Sequence, residues 1–182
     1  MSFNSAVSLR FFQALLCCCL LTACAPEVPE PKPPPAQLSR DDIGYFCGMI
    51  VEDHAGPKSQ VFLEGREQAL WFTTVRDGIA FLRLPEETRP VTVLYVTTMD
   101  GGQWDHPEGN VRNWVEVDAA WFVIESGKSG SMGAPEAIPF ADKQAAAEFA
   151  GEHGGRVLAL ADIPDTYILG HGLETTGEHA DH

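Results

Sequence analysis

Basic residues are scarce in this chain: 12 Lys and Arg stand against 26 Asp and Glu, for a net charge of -14. Such a surface repels phosphate backbones and acidic headgroups alike, so nucleic acid is excluded as a partner and any hold on a membrane must come from something other than charge. Long apolar runs are lacking too. The run at 11–21 falls short of the ~20 residues that a spanning helix needs. No Gly-rich phosphate loop, Gly-x-Ser-x-Gly elbow or zinc-protease motif occurs, which removes the commonest legible enzyme classes. Cysteine is scarce where it matters. Cys17, Cys18 and Cys19 lie in the apolar run, Cys24 follows it directly, and Cys47 stands alone in the rest of the chain.

The N-terminus reads as an address. Arg10 precedes the run, and Leu21-Thr22-Ala23-Cys24 closes it. That ending is similar to the bacterial lipobox, whose cysteine is acylated and becomes the mature N-terminus. Residues 1–23 are therefore a lipoprotein signal peptide and Cys24 the lipidated residue. Cleavage removes Arg10 and no acid, which leaves the mature chain near -15. Residues 24–40 form a Pro-rich linker containing Pro31-Lys32-Pro33-Pro34-Pro35. With almost no large apolar side chain it is expected to be a semi-extended stalk of about 3 Å per residue, with the fold beginning near Asp41. In the exported protein Cys47 is then the one remaining thiol. It is an inert small hydrophobe, a partner for an intermolecular disulfide, or a metal ligand.

The folded part, about 140 residues, suits one small α+β unit or two very small ones. Residues 45–51 and 60–63 read as strands separated by a turn carrying Gly56-Pro57. Apolar positions at Trp71, Phe72, Val75, Ile79 and Leu82 predict a helix over 71–84, and the β-branched run 91–97 a strand. The order then repeats: strand at 120–126, glycine-rich loop at 127–135, strand at 137–140, helix at 141–153 ended by Gly154-Gly155, strand at 156–160. This predicts two tandem ββαβ units, at 41–97 and 118–165. A segment at 98–117 with one strand at 114–117 joins them, and a polar, disordered tail covers 166–182.

Four side chains stand out for chemistry. Cys47, Met49 and His54 lie close together in the first unit, and Met132 occupies the glycine-rich loop of the second. A thiolate and two thioethers are soft donors, which select Cu(I) over harder cations, and an imidazole completes the set. On a strand, Cys47 and Met49 would share a side, because side chains alternate. Each has a plainer reading: Met49 as core filler, His54 as a surface residue beside a turn, Cys47 as a buried hydrophobe. Met132 is the exception, since Ser129-Gly130-Ser131-Met132-Gly133 offers it nothing local to pack against. Asp105-His106 and the tail histidines His171, His179 and His182 show no ligand spacing and are weaker candidates for a divalent ion. Cys47 with His54 as nucleophile and base would make a thiol enzyme or redox protein, without an evident orienting acid beyond Asp53. A structural lipoprotein with an inert Cys47 is the other alternative.

The run Phe46-Cys47-Gly48-Met49, with Val51, His54, Gly56-Pro57 and Gln60, resembles the NosL family of accessory lipoproteins of nitrous oxide reductase. So do Trp114, Ala119-Ala120 before Phe122-Val123, Met132-Gly133, Ile138-Pro139-Phe140, and the 145–155 stretch ending in His153-Gly154-Gly155. The likeness spans about 43 to 163. It implies a membrane-anchored periplasmic Cu(I) metallochaperone, a non-enzyme, that delivers copper for assembly of the reductase's copper centres. Its implied partners are an ABC-type copper-site assembly complex and the apo-reductase. Copper is placed by this likeness on a subset of Cys47, Met49, His54 and Met132. Family members resemble paired ββαβ units related to the organomercurial lyase fold; that activity does not carry over, because one thiol falls short of the cysteine pair it needs. The protein is expected to be a monomer.

Overall fold

Outer-face and inner-face residues alternate along the first four strands, and that alternation organises everything in the computed structural model, which describes residues 31–84, 88–102, 104–105 and 113–170. Strands β1 (Ser59–Leu63), β2 (Leu70–Phe72), β3 (Val91–Thr97) and β4 (Trp114–Glu116) form an antiparallel sheet in the order β2-β1-β3-β4. Helix α1 (Val75–Arg83) separates β2 from β3. A second antiparallel sheet, β6-β5-β7, is built from β5 (Trp121–Ile124), β6 (Ile138–Phe140) and β7 (Arg156–Ala159), with helix α2 (Lys143–His153) between β6 and β7. A short helix α3 (Asp165–Leu169) follows. The architecture is α+β, with the ββαβ order twice.

The two repeats do not own separate cores. Val61, Leu63, Phe72, Val75, Ile79, Leu94 and Val96 of the first half pack in one buried cluster with Phe122, Ile124 and Ala137 of the second. On β5, Phe122 and Ile124 face that shared core, whereas Val123 faces Ile138, Phe140 and Ala146 in a second cluster. Truncating a side chain as buried as Phe122 costs about 3–5 kcal/mol, a large share of the ~5–15 kcal/mol stability of a domain. The halves are thus one cooperative body, which is what lets loops from each meet at a fixed place.

Three sequence expectations are corrected. Residues 45–51 do not form a strand. Gly48 adopts a left-handed φ of 68° and its N–H donates to the Gly44 carbonyl at 2.8 Å, while Gly44 N–H donates to Met49 O at 2.8 Å. The result is a tight loop closed by an Ile43–Ile50 bridge. The aromatics that suggested a strand instead stack outward on the core, Phe46 on Phe72 at 5.2 Å and Tyr45 on Phe81 at 5.5 Å between ring centroids. The predicted helix over 71–84 divides into β2 and α1. Trp71 and Phe72 pair with Gln60 and Ser59, and Thr74 then starts the helix, its hydroxyl accepting from Asp77 N–H at 3.0 Å. Nor does order end at residue 165: Ile168 of α3 is buried in the shared core, and residues 171–182, with the three tail histidines, lie outside the described residues.

The chain also joins the sheet before Asp41. Gln60, with no exposed surface, takes Ala36 in both directions, accepting from its N–H at 2.8 Å and donating to its carbonyl at 3.3 Å. Tyr95 donates its hydroxyl to Pro33 O at 2.8 Å, and Lys32 pairs with Glu116. Because Glu116, Tyr95, Gln60 and Trp71 are cross-strand neighbours, residues 32–36 form a strap across the outer face and lead to the loop that carries Cys47. The proline composition predicts a stalk with the fold beginning near Asp41; instead Gln60 and Tyr95 bind the carbonyls of Ala36 and Pro33. Replacing Gln60 with Leu strands the Ala36 N–H, so we expect a loss of about 1–3 kcal/mol in denaturant unfolding and faster hydrogen exchange at Ala36. An unchanged Ala36 exchange rate would show that the strap is not held by Gln60.

Candidate metal centre

The loop 42–51 is wedged against the junction of β2 and α1. Tyr45 N–H donates to Trp71 O at 2.7 Å and Gly44 forms a bridge to Trp71, which hang the loop on the free edge of β2. The Cys47 thiol, partly buried and unpaired, then lies 3.6 Å from the Thr73 hydroxyl. It sits directly over Gly44, where a Cβ would stand 2.6 Å from the sulfur and 3.2 Å from Thr73 Cγ2. Glycine at 44 is thus a space requirement of the thiol. Met49 is half-buried in the same loop, two residues along.

His54 follows a short helical turn, Val51–Asp53, whose Val51 is buried. Its Nδ1 lies 2.8 Å from the hydroxyl of Ser131, which belongs to the glycine-rich loop of the second half. The side chain next to Ser131 is Met132, 69% exposed and held in a left-handed conformation at φ 58°, ψ 21°. A non-glycine residue there carries backbone strain of roughly 1 kcal/mol or more, so the thioether is presented outward by a loop that the rest of the fold holds in place. This hydrogen bond brings together His54 and the Met132 loop, two candidates from different repeats. Cys47 and Met49 occupy the neighbouring loop, on the Thr73 side. Asp105 is exposed, and His106 falls outside the described residues.

The electrostatics beneath these loops come from two residues that sequence reading missed, Lys58 and Glu136. Lys58 has no exposed surface; its ammonium donates to Ala55 O at 3.0 Å and Gly56 O at 2.7 Å, the carbonyls just after His54. Burial lowers its pKa to about 8, opposed by the Glu136 charge. Glu136 is 1% exposed. Its carboxylate accepts from the first N–H groups of α1, Arg76 at 2.9 Å and Val75 at 3.4 Å, and from Ala137 N–H at 2.9 Å. A residue of the second half thereby satisfies the helix N-terminus of the first. His54 is held below its usual pKa, first by burial and then by the Lys58 charge. In the tautomer whose Nδ1–H donates to Ser131, Nε2 would keep its lone pair for a metal. The one available signal for Glu136 was an acid immediately before the apolar strand 138–140; nothing in its spacing said that it reaches α1.

Burial pushes the Glu136 pKa up to about 7 from 4.5, with the N–H donors of Arg76 and Ala137 pulling the other way. A carboxyl that holds its proton more tightly folded than unfolded stabilises the fold fully below the unfolded value. That contribution is lost as pH rises through the folded one. Stability therefore declines between pH 4.5 and about 7 on this account, and Glu136→Gln is expected to remove that decline. Thermal unfolding of both proteins across this range checks it; parallel profiles would refute the assignment.

Comparison with known proteins places the architecture. The family model described as NosL matches residues 35–168. The chain is 42% identical over 163 residues to a copper-binding lipoprotein NosL of Achromobacter cycloclastes, covering 88% of this chain and 83% of that one. It is 31% identical over 150 residues to a copper-binding lipoprotein NosL of Stutzerimonas stutzeri, covering 81% and 76%. The crystal structure of the copper chaperone NosL from Shewanella denitrificans superposes with a TM-score of 0.68 at 29% identity, over 75% of this chain and 98% of the other. With its repeated ββαβ order, its thiol loop on the β2 edge and its matched span from the strap to α3, the chain belongs to the NosL family.

Proposed function

We propose that this protein is a lipid-anchored periplasmic carrier of Cu(I), not an enzyme, and that it hands copper on for assembly of the copper centres of nitrous oxide reductase. The observation that carries the reading is the His54–Ser131 hydrogen bond at 2.8 Å. It ties the loop that displays the exposed thioether of Met132 to His54, which follows the loop of Cys47 and Met49 in the chain. Cys47 supplies a thiol, Met49 and Met132 thioethers, and His54 an imidazole. That is the donor chemistry that favours Cu(I). The relatives' names, copper-binding lipoprotein and copper chaperone, support the same cargo.

Transfer fits the geometry. A strained, exposed loop gives up a weak thioether more readily than a buried strand would, so an incoming soft donor from the partner replaces Met132 while Cys47 still holds the ion. Ile43, Tyr45, Phe46 and Ile50 are exposed around the thiol loop. They form an apolar collar of the kind that marks a protein contact, and Asp41, Asp42, Glu52 and Asp53 bracket it in sequence. An ABC-type membrane complex and the apo-reductase are the partners we propose. Acylation of Cys24 would confine the carrier to the membrane surface and raise its effective concentration there. A thiol enzyme fits less well: Cys47 contacts the Thr73 hydroxyl and His54 the Ser131 hydroxyl, so a nucleophile–base pair is not assembled between them.

Competition of the purified mature chain with a Cu(I) chelator tests the reading. We expect one Cu(I) per chain, with affinity reduced about tenfold or more by Cys47→Ser and by Met132→Leu and unchanged by His171→Ala. Wild-type affinity in both of the first two variants would remove the site. Gly44→Ala, which drives a methyl into the Cys47 sulfur, is expected to weaken binding without removing any donor; full retention of affinity would show that the thiol position is irrelevant.

A further inference from the structure

Glu136 is a buried acid to which the copper reading assigns no part, yet it touches both walls of the candidate centre. On one side its carboxylate accepts the Val75 and Arg76 N–H groups, immediately after Thr74 and two residues from the Thr73 side chain that contacts the Cys47 thiol. On the other side it packs against Gly130 so closely that a Cβ there would lie 2.8 Å from Oε2 and 3.3 Å from the Glu136 Cβ and Cδ. Gly130 opens the loop that displays Met132: it donates to Ala134 O at 2.8 Å and accepts from Gly133 N–H at 3.1 Å, and a Ser129–Pro135 bridge closes the loop behind it. From below, the Tyr167 hydroxyl donates to the Glu136 carbonyl at 2.8 Å, fixing the residue from α3.

We propose that Glu136 is a positioning residue for copper: its carboxylate locks the Met132 loop of the second half onto the helix N-terminus behind the Cys47 loop of the first. The lock supplies what the shared apolar core does not. Apolar packing is non-directional, and the distance between a thiol and a thioether that share one ion must be held to about 0.5 Å. Two hydrogen bonds from the Val75 and Arg76 N–H groups and the close Gly130 contact provide that directionality. Gly130 is explained by the same arrangement. It is glycine because the carboxylate occupies the space of a side chain, and a methyl there displaces the loop without removing the side chain of Glu136, Cys47, Met49, His54 or Met132.

This inference rests on the copper reading, and the test separates the two. Cu(I) affinity of the full mature chain is measured by chelator competition for the wild type, Glu136→Gln, Gly130→Ala, Met132→Leu and each of the first two combined with Met132→Leu. Copper X-ray absorption counts the sulfur ligands. The proposal expects Glu136→Gln and Gly130→Ala each to lower affinity about tenfold or more and to lose one sulfur ligand. It also expects the double variants to bind no worse than Met132→Leu alone, since residues acting through one contact are not additive. A role confined to stability would lower the melting temperature, leave the sulfur count of the folded protein unchanged and add to Met132→Leu. If Glu136→Gln fails to fold, Gly130→Ala decides. Wild-type uptake with unchanged affinity and sulfur count in the folded variants, or additive losses, overturns the positioning role alone. No uptake of Cu(I) by the wild-type chain overturns the copper reading and this inference with it.

Discussion

A carboxylate can remain in a protein interior only where donors replace the water it has lost, and in this fold those donors belong to the other repeat. Glu136 accepts the opening N–H groups of α1, so the second sheet cannot shift against the first without uncovering a charge and orphaning a helix end. Lys58 does the reciprocal work on the first half, holding the two carbonyls that follow His54. The pair is not in direct contact as a salt bridge; each charge is satisfied mainly by backbone dipoles, and each tempers the burial of the other. Two loops that contain all the soft donors are thereby fastened from beneath, and the surface above them is left free of structural duty. That division is why Met132 can be exposed and strained without disorder of the loop that bears it.

Much of this was legible from residue patterns, and the failures are instructive. The second repeat reads correctly because each of its elements agrees with local preference: a β-branched and aromatic β5, an Asp142 cap accepting from Ala145 N–H, and glycines after α2. The first repeat misleads because aromatics have two uses. Trp71 and Phe72 sit at helical spacing from Val75 and Ile79, yet both pair with β1, and Thr74 begins the helix only after them. Tyr45 and Phe46 look like strand residues and are surface residues of a glycine turn. No single-sequence rule separates these cases, since the deciding contacts are non-local: Tyr45 and Phe46 with Phe81 and Phe72, and Trp71 and Phe72 with β1. Among the site residues, the soft donors could be nominated by chemistry alone. Thr73, Ser131, Lys58 and Glu136 could not, because their role lies in what they hold and is written only in three dimensions.

The surface combines two properties that usually oppose each other. A net charge of -14 favours solubility and resists self-association, whereas Ile43, Tyr45, Phe46, Ile50 and Met132 leave apolar groups in solvent near the thiol loop. For a carrier the combination is coherent. On the proposed reading, like-charge repulsion opposes the approach of two such surfaces, and a partner with a basic rim meets no such penalty. The strap across the outer face adds a spatial constraint. Residues 32–36 are held along the sheet by Gln60 and Tyr95.

The remaining question for a copper carrier is how a site tight enough to protect Cu(I) lets it go. Strength and lability are set by different residues here. The thiol is packed, with glycine beneath it and Thr73 beside it, which on the proposed reading restrains its departure from a bound ion. On the proposed reading the His54 ring is oriented by its Nδ1 contact with the Ser131 hydroxyl. The thioether of Met132 is the most exposed of the proposed donors. On the proposed reading exchange begins at Met132 and ends at Cys47, an order that follows from their difference in burial.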